Sequence, residues 1–113
     1  MSYLGEVLEA NTTGFTAQAR DLDGAPELGS LVKIENGEQP IFAIISGAAT
    51  GGLEPSRRPG AYGLSREDLA LHQPQIFELL KTDFTGIIVG HLDRAGYHGY
   101  LPPRPAQIHA FVH

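Results

Sequence analysis

No cysteine occurs anywhere in the chain. Its absence excludes a disulfide framework, a thiolate zinc site and a thiol nucleophile, and it fits a reducing compartment. Lysine is almost as scarce, at positions 33 and 81 only. With a formal net charge of −5, the chain is poorly equipped for the counterion-displacing contacts on which non-specific nucleic-acid binding rests. No apolar run approaches the roughly 20 residues of a membrane-spanning helix. The opening segment MSYLGEVLEA has neither a basic start nor a long apolar stretch, so no signal peptide is expected. A soluble, cytoplasmic protein with no membrane partner is the expectation.

Signatures of chemistry are missing too. Neither lysine follows a Gly-rich loop, which argues against a P-loop nucleotide site, and no cofactor is expected. No H-E-x-x-H or G-x-S-x-G occurs. Gly51-Gly52 and the Gly60/Gly63 pair lie in an irregular stretch and read as points of chain flexibility. Ser46 lacks the nucleophile elbow, and Ser65 reads as a helix cap. Glu67, Asp68, Glu78 and Asp83 fall on or beside the helix it caps and read as a solvated acidic face.

Glycine and proline, by contrast, are plentiful, 14 and 8 in 113 residues, and they fall at recurring corners. The length suits one domain, large enough to bury about two-thirds of its unfolded surface without staples. GFTAQAR (14–20) alternates, with Phe15, Ala17 and Ala19 on one face and Thr16, Gln18 and Arg20 on the other, so a half-buried strand is predicted. Further strands are expected over 3–9, 30–35, 40–49, 85–92, 97–101 and 107–112, the apolar runs 40–49 and 85–92 being central.

Three corners, Asn11-Thr12-Thr13-Gly14, Asp21-Leu22-Asp23-Gly24 and Asp93-Arg94-Ala95-Gly96, share Asn or Asp first and Gly fourth. The first side chain can bond the turn's own backbone, and the glycine accepts a positive φ. Asn36-Gly37 is a fourth turn signal. Short strands with such corners predict an all-β fold, a small closed Greek-key-like barrel of about six strands. One helix is expected over 65–81, SREDLALHQPQIFELLK, interrupted at Gln73-Pro74. With the irregular stretch 50–63 it forms an insertion at 50–83.

Of the five histidines, His91 and His98 flank one predicted hairpin and are the candidates for a metal site. A two-residue loop would oppose their imidazoles directly, but would demand positive φ at Arg94 and Ala95. A Gly-bulge turn instead pairs Asp93 with Tyr97 and sets His91 opposite Gly99. On that register no metal is expected, and the histidines read as ordinary strand and surface residues. His109 and His113 lie too far apart along an extended strand to share an ion. Arg57 and Arg58, with Arg104 as a neighbour, are the candidates for binding a phosphate or carboxylate of a ligand or partner.

The segments L-G-E-V-L-E-A-N-T-T (4–13), P-E-L-G-S-L-V-K-I (26–34), P-I-F-A-I-I (40–45) and T-G-I-I-V-G-H (85–91) resemble the HAS barrel, the small six-stranded domain shared by HerA-type DNA translocases and the ATP synthase. E-A-N-T-T-G-F-T-A-Q, Arg57-Arg58-Pro59, the His72/Pro74 helix with Leu79-Leu80, Val89-Gly90-His91 and L-P-P-R-P-x-x-I-H-A-F-V (101–112) are similar to a group of bacterial HAS-barrel proteins. In the ATPases such barrels crown a ring and hold subunits or partners together without hydrolysing ATP. The resemblance therefore implies a non-catalytic module for oligomerisation or docking to a protein partner, associated with an ATPase or DNA-processing assembly. No motor domain follows in these 113 residues. The apolar ending HAFVH fits either a last strand that closes the fold or a barrel cut from a longer protein. Two alternatives stand beside this reading. One is a small ligand- or metal-binding enzyme using strand histidines. The other is a nucleic-acid-binding barrel using Tyr97, Tyr100 and Phe111.

Overall fold

The computed structural model describes residues 3–52, 63, 65–72 and 80–113. Among these residues, seven strands and one short helix follow in the order β1 (Gly5–Ala10), β2 (Gly14–Ala19), β3 (Leu31–Ile34), β4 (Ile41–Gly52), α1 (Arg66–His72), β5 (Leu80–Asp93), β6 (Gly96–His98) and β7 (Phe111–Val112). Every pairing is antiparallel. The circuit β1-β2-β5-β4-β3-β7 returns to β1, so six strands close a barrel. The expected all-β class and closure are both present. Closure satisfies the backbone groups that an open sheet would leave at its two edges.

Two seams make the closure. On one, β2 pairs with β5 from Gly14↔Ile87 to Gln18↔Asp83, and Ile88 N–H donates to the Thr13 carbonyl at 2.9 Å. On the other, β7 lies between β1 (Gly5↔Val112) and β3 (Ile34↔Val112). Although β7 has only two residues, flanking bonds lengthen this seam: Leu4 N–H to Val112 O at 2.7 Å, His109 N–H to Val7 O at 2.7 Å and Lys33 N–H to His113 O at 2.9 Å.

The interior is filled by alternate side chains of the six strands. Val7, Ala17, Ile34, Ile41, Ala43, Phe84 and Val112 have no exposed surface. The face predicted for residues 14–20 is the one that points inward: Phe15, Ala17 and Ala19 are buried. Phe15 and Phe84 meet edge to face, 6.1 Å between centroids. Room for the rings comes from glycine. A Cβ on Gly86 would lie 2.5 Å from the Phe15 ring, and one on Gly5 would lie 2.9 Å from Phe84. Large residues thus face absent ones across the barrel, as interdigitation at interior density requires.

The turns obey the corner chemistry only in part. Asn11 Oδ1 accepts from the Thr13 and Gly14 amides, both at 2.9 Å, and Asp93 Oδ1 accepts from the Ala95 amide at 2.8 Å. Of the three fourth-position glycines, however, only Gly96 has a positive φ (117°). Gly14 answers a different need, since a Cβ there would come within 2.8 Å of the Gly86 carbonyl across the seam.

Several boundaries differ from expectation: the strand expected over 107–112 is reduced to Phe111–Val112, behind a positive φ at His109, and that expected over 97–101 to Gly96–His98. Strand continues through residues 50–52, and strand replaces helix at Leu80 and Lys81, because Gly51↔Lys81 and Gly52↔Leu80 extend the β4–β5 ladder. The insertion is accordingly narrower than 50–83. Within it, α1 begins where Ser65 Oγ accepts from the Asp68 amide at 3.2 Å, the cap expected from the sequence. Arg66 of α1 forms a two-pronged contact with Asp23, at 2.8 and 2.9 Å, tying the helix to the β2–β3 corner.

Candidate functional site

The described residues concentrate chemistry at the end of the β5–β6 hairpin, where a backbone irregularity decides which side chains meet. Phe42 pairs with Gly90, but Ala43 pairs with Ile88, so Val89 is an extra residue on β5. Before this bulge the even-numbered residues Phe84, Gly86 and Ile88 are buried. After it the phase has shifted, and His91 pairs with the fully buried Ile41. Bulges commonly re-aim a side chain in this way. His91 is 3% exposed. Asp93, two residues on, shares its face.

Across the hairpin the register is His91↔His98, Leu92↔Tyr97 and Asp93↔Gly96. This corrects the expectation that His91 faces Gly99 and Asp93 faces Tyr97. The objection to direct opposition was positive φ at Arg94 and Ala95. Neither adopts it; within this turn the positive φ falls on Gly96. His91 and His98 are therefore cross-strand partners, with ring centroids 5.1 Å apart.

The three side chains converge. One ring nitrogen from each histidine and a carboxylate oxygen of Asp93 all lie within 4.8 Å of one another. His98 Nε2 sits 2.8 Å from Asp93 Oδ1, both groups being partly exposed. That approach pairs the groups by proximity, yet it lies off the ring nitrogen's own axis: Nε2 is buried and makes no directed hydrogen bond among the described residues. His91 Nδ1 lies 3.1 Å from the Tyr100 carbonyl. A carbonyl can only accept, so Nδ1 carries a proton, and in the neutral ring the lone pair is then on Nε2. The Tyr100 ring stands 5.3 Å from that of His91 and 5.2 Å from that of His98, closing one side. The Asp93 carboxyl is held below its ordinary value, first by its contact with His98 and then by the Ala95 amide.

Sequence reasoning had the two histidines and missed Asp93, which it used up as a turn former. The pattern H-x-D-x4-H carried the missing signal, since the first two positions share a strand face. His109 and His113 stay apart from this group. His109 approaches Glu6 at 3.5 Å, and His113 Nε2 approaches Glu35 at 2.7 Å. Arg104 is exposed, whereas Arg57 and Arg58 lie outside the described residues.

A second feature lies on the outer wall. Leu31↔Ile44 and Ile44↔Ile87 are directly opposed pairs, so the three form one row across β3, β4 and β5. Leu31 is 63% exposed and Ile87 57%. No described helix is long and apolar enough to cross a membrane. No family model matches the chain, and no curated protein matches it either.

Proposed function

We propose that this chain is an assembly module, a β-barrel that self-associates through its outer wall and has no catalytic activity of its own. The carrying observation is the Leu31–Ile44–Ile87 row, apolar side chains aligned over three strands on the outer wall of a barrel whose interior is already filled, exposed at Leu31 and Ile87 and half-buried at Ile44. A contiguous apolar row of this kind marks an interaction surface more often than scattered exposed residues do. Its resemblance to HAS barrels supports the same reading, because those domains hold subunits together, and it extends the proposal to a place beside an ATPase or DNA-processing machine.

Magnitudes set the expected strength. Burying one Leu or Ile gains about 1.5–3 kcal/mol at most. Association costs an estimated 4–15 kcal/mol in lost freedom. The row alone therefore nucleates a contact, and its neighbours must contribute to reach roughly 800 Å² per partner. Weak, concentration-dependent association follows. The scarcity of lysine and the acidic balance weigh against nucleic acid as the partner.

Light scattering over a concentration series tests this. The expected result is a mass above that of the monomer that rises with concentration and returns to monomer in Leu31→Asp/Ile87→Asp. A wild-type protein that stays monomeric throughout, or a variant that associates as well as wild type, would overturn it.

A further inference from the structure

We infer that His91, Asp93 and His98 form a binding site for a first-row divalent transition cation of the zinc class, held at the mouth of the β5–β6 hairpin. The inference goes beyond the assembly role and does not depend on it.

Four observations carry the inference. The donor set is two imidazoles and one carboxylate, which suits Zn²⁺, Fe²⁺, Co²⁺ or Ni²⁺ and is a poor match for Mg²⁺ or Ca²⁺, which prefer all-oxygen shells. The three donor atoms already lie within 4.8 Å of one another. Bonds of about 2.0–2.1 Å to a shared tetrahedral ion would set them roughly 3.3 Å apart, a closure that side-chain rotation can supply. Next, the His91 Nδ1 contact with the Tyr100 carbonyl, 3.1 Å, is the outer-shell bond that metal-ligating histidines usually make; it fixes the ring and presents Nε2 as a lone-pair donor. Finally, His98 Nε2 is buried beside the Asp93 carboxylate, 2.8 Å away, without a directed hydrogen bond to it. Two donors side by side and not aimed at each other are arranged as neighbouring ligands of one ion would be.

His113 supplies an internal contrast. Its Nε2 also approaches a carboxylate, Glu35 at 2.7 Å, without a directed bond. Among the described residues no third donor joins that pair, because the only cluster of three is His91, Asp93 and His98. A histidine–carboxylate contact alone is thus not the argument; the third ligand and the Tyr100 carbonyl are. Three protein ligands leave a coordination position for water or for a donor from outside. It would open on the side where Asp93 and His98 remain 31% and 23% exposed.

The test uses the full chain without a polyhistidine tag, stripped by a chelator and titrated with Co²⁺ (read by its visible absorption) and with Zn²⁺ by calorimetry. The expected result is one equivalent bound per chain, with affinity at least about tenfold weaker in Asp93→Asn and in His98→Gln and unchanged in His113→Gln. Asp93→Asn retains an oxygen for the Ala95 amide, so its turn survives; far-UV circular dichroism verifies the fold of each variant. His91 is buried, and for that reason its replacement is not the deciding variant. An absence of saturable binding in the wild type would overturn the inference. So would binding that both Asp93→Asn and His98→Gln leave intact, or binding that His113→Gln abolishes.

Discussion

The barrel wall and the β5–β6 hairpin are built from the same strand, yet they solve opposite problems. Along residues 83–87, β5 is flanked by β4 on one side and β2 on the other, and its inward residues are apolar and sealed. Past the Val89 bulge, β2 has ended and β6 takes its place beside residues 91–93. There the inward phase, shifted by the bulge, presents His91 and Asp93. A single extra residue therefore marks the border between a stretch that holds the fold and a stretch that gathers polar donors. Such groups can be afforded only at the barrel's end, where the Tyr100 carbonyl and partial solvent access satisfy them.

The largest expected effect belongs to the wall. Phe84→Ala removes a fully buried ring that packs on Phe15, and should cost about 3–5 kcal/mol in denaturant unfolding. Tyr97 is also aromatic but sits on the hairpin, 57% exposed, with an edge contact to Phe42 at 5.7 Å. Tyr97→Ala should cost about 0.5–1.5 kcal/mol. Equal losses at the two positions would break the distinction between wall and hairpin.

The smallest effect is electrostatic. NMR titration of the apo protein should find the Asp93 carboxyl titrating below the ordinary 3.8, and His98→Gln should move that midpoint upward. A carboxyl whose folded value is depressed binds its proton more readily when unfolded. Its contribution to stability is therefore present above the unfolded value and is lost as pH falls through the folded one. An Asp93 midpoint at or above 3.8, or one that ignores His98, would remove the pairing from the account.

Much of the wall was legible in the sequence. Alternation over 14–20 gave the inward face of β2, and the apolar runs at 40–49 and 85–92 became the neighbouring strands β4 and β5. What periodicity could not show was pairing that depends on a partner. Gly51-Gly52 and Leu80-Lys81 carry no strand pattern of their own, and they are extended because each completes the other's ladder. The hairpin site was obscured for a related reason. The bulge at Val89 has no side-chain signature, and the register of the turn depended on where positive φ would fall. Once Gly96 takes it, opposition of His91 and His98 needs no strain at Arg94 or Ala95.

Closure of the sheet underlies both halves of the comparison, and residue-resolved amide hydrogen exchange measures it most directly. The Ile88 amide, bonded to Thr13 O at 2.9 Å across the β2–β5 seam, should exchange as slowly as the amides linking β3 and β4, at the rate of global unfolding. Fast exchange at Ile88 alongside slow exchange in β3 and β4 would mean that the seam is open, and that the molecule is a curled sheet with two free edges.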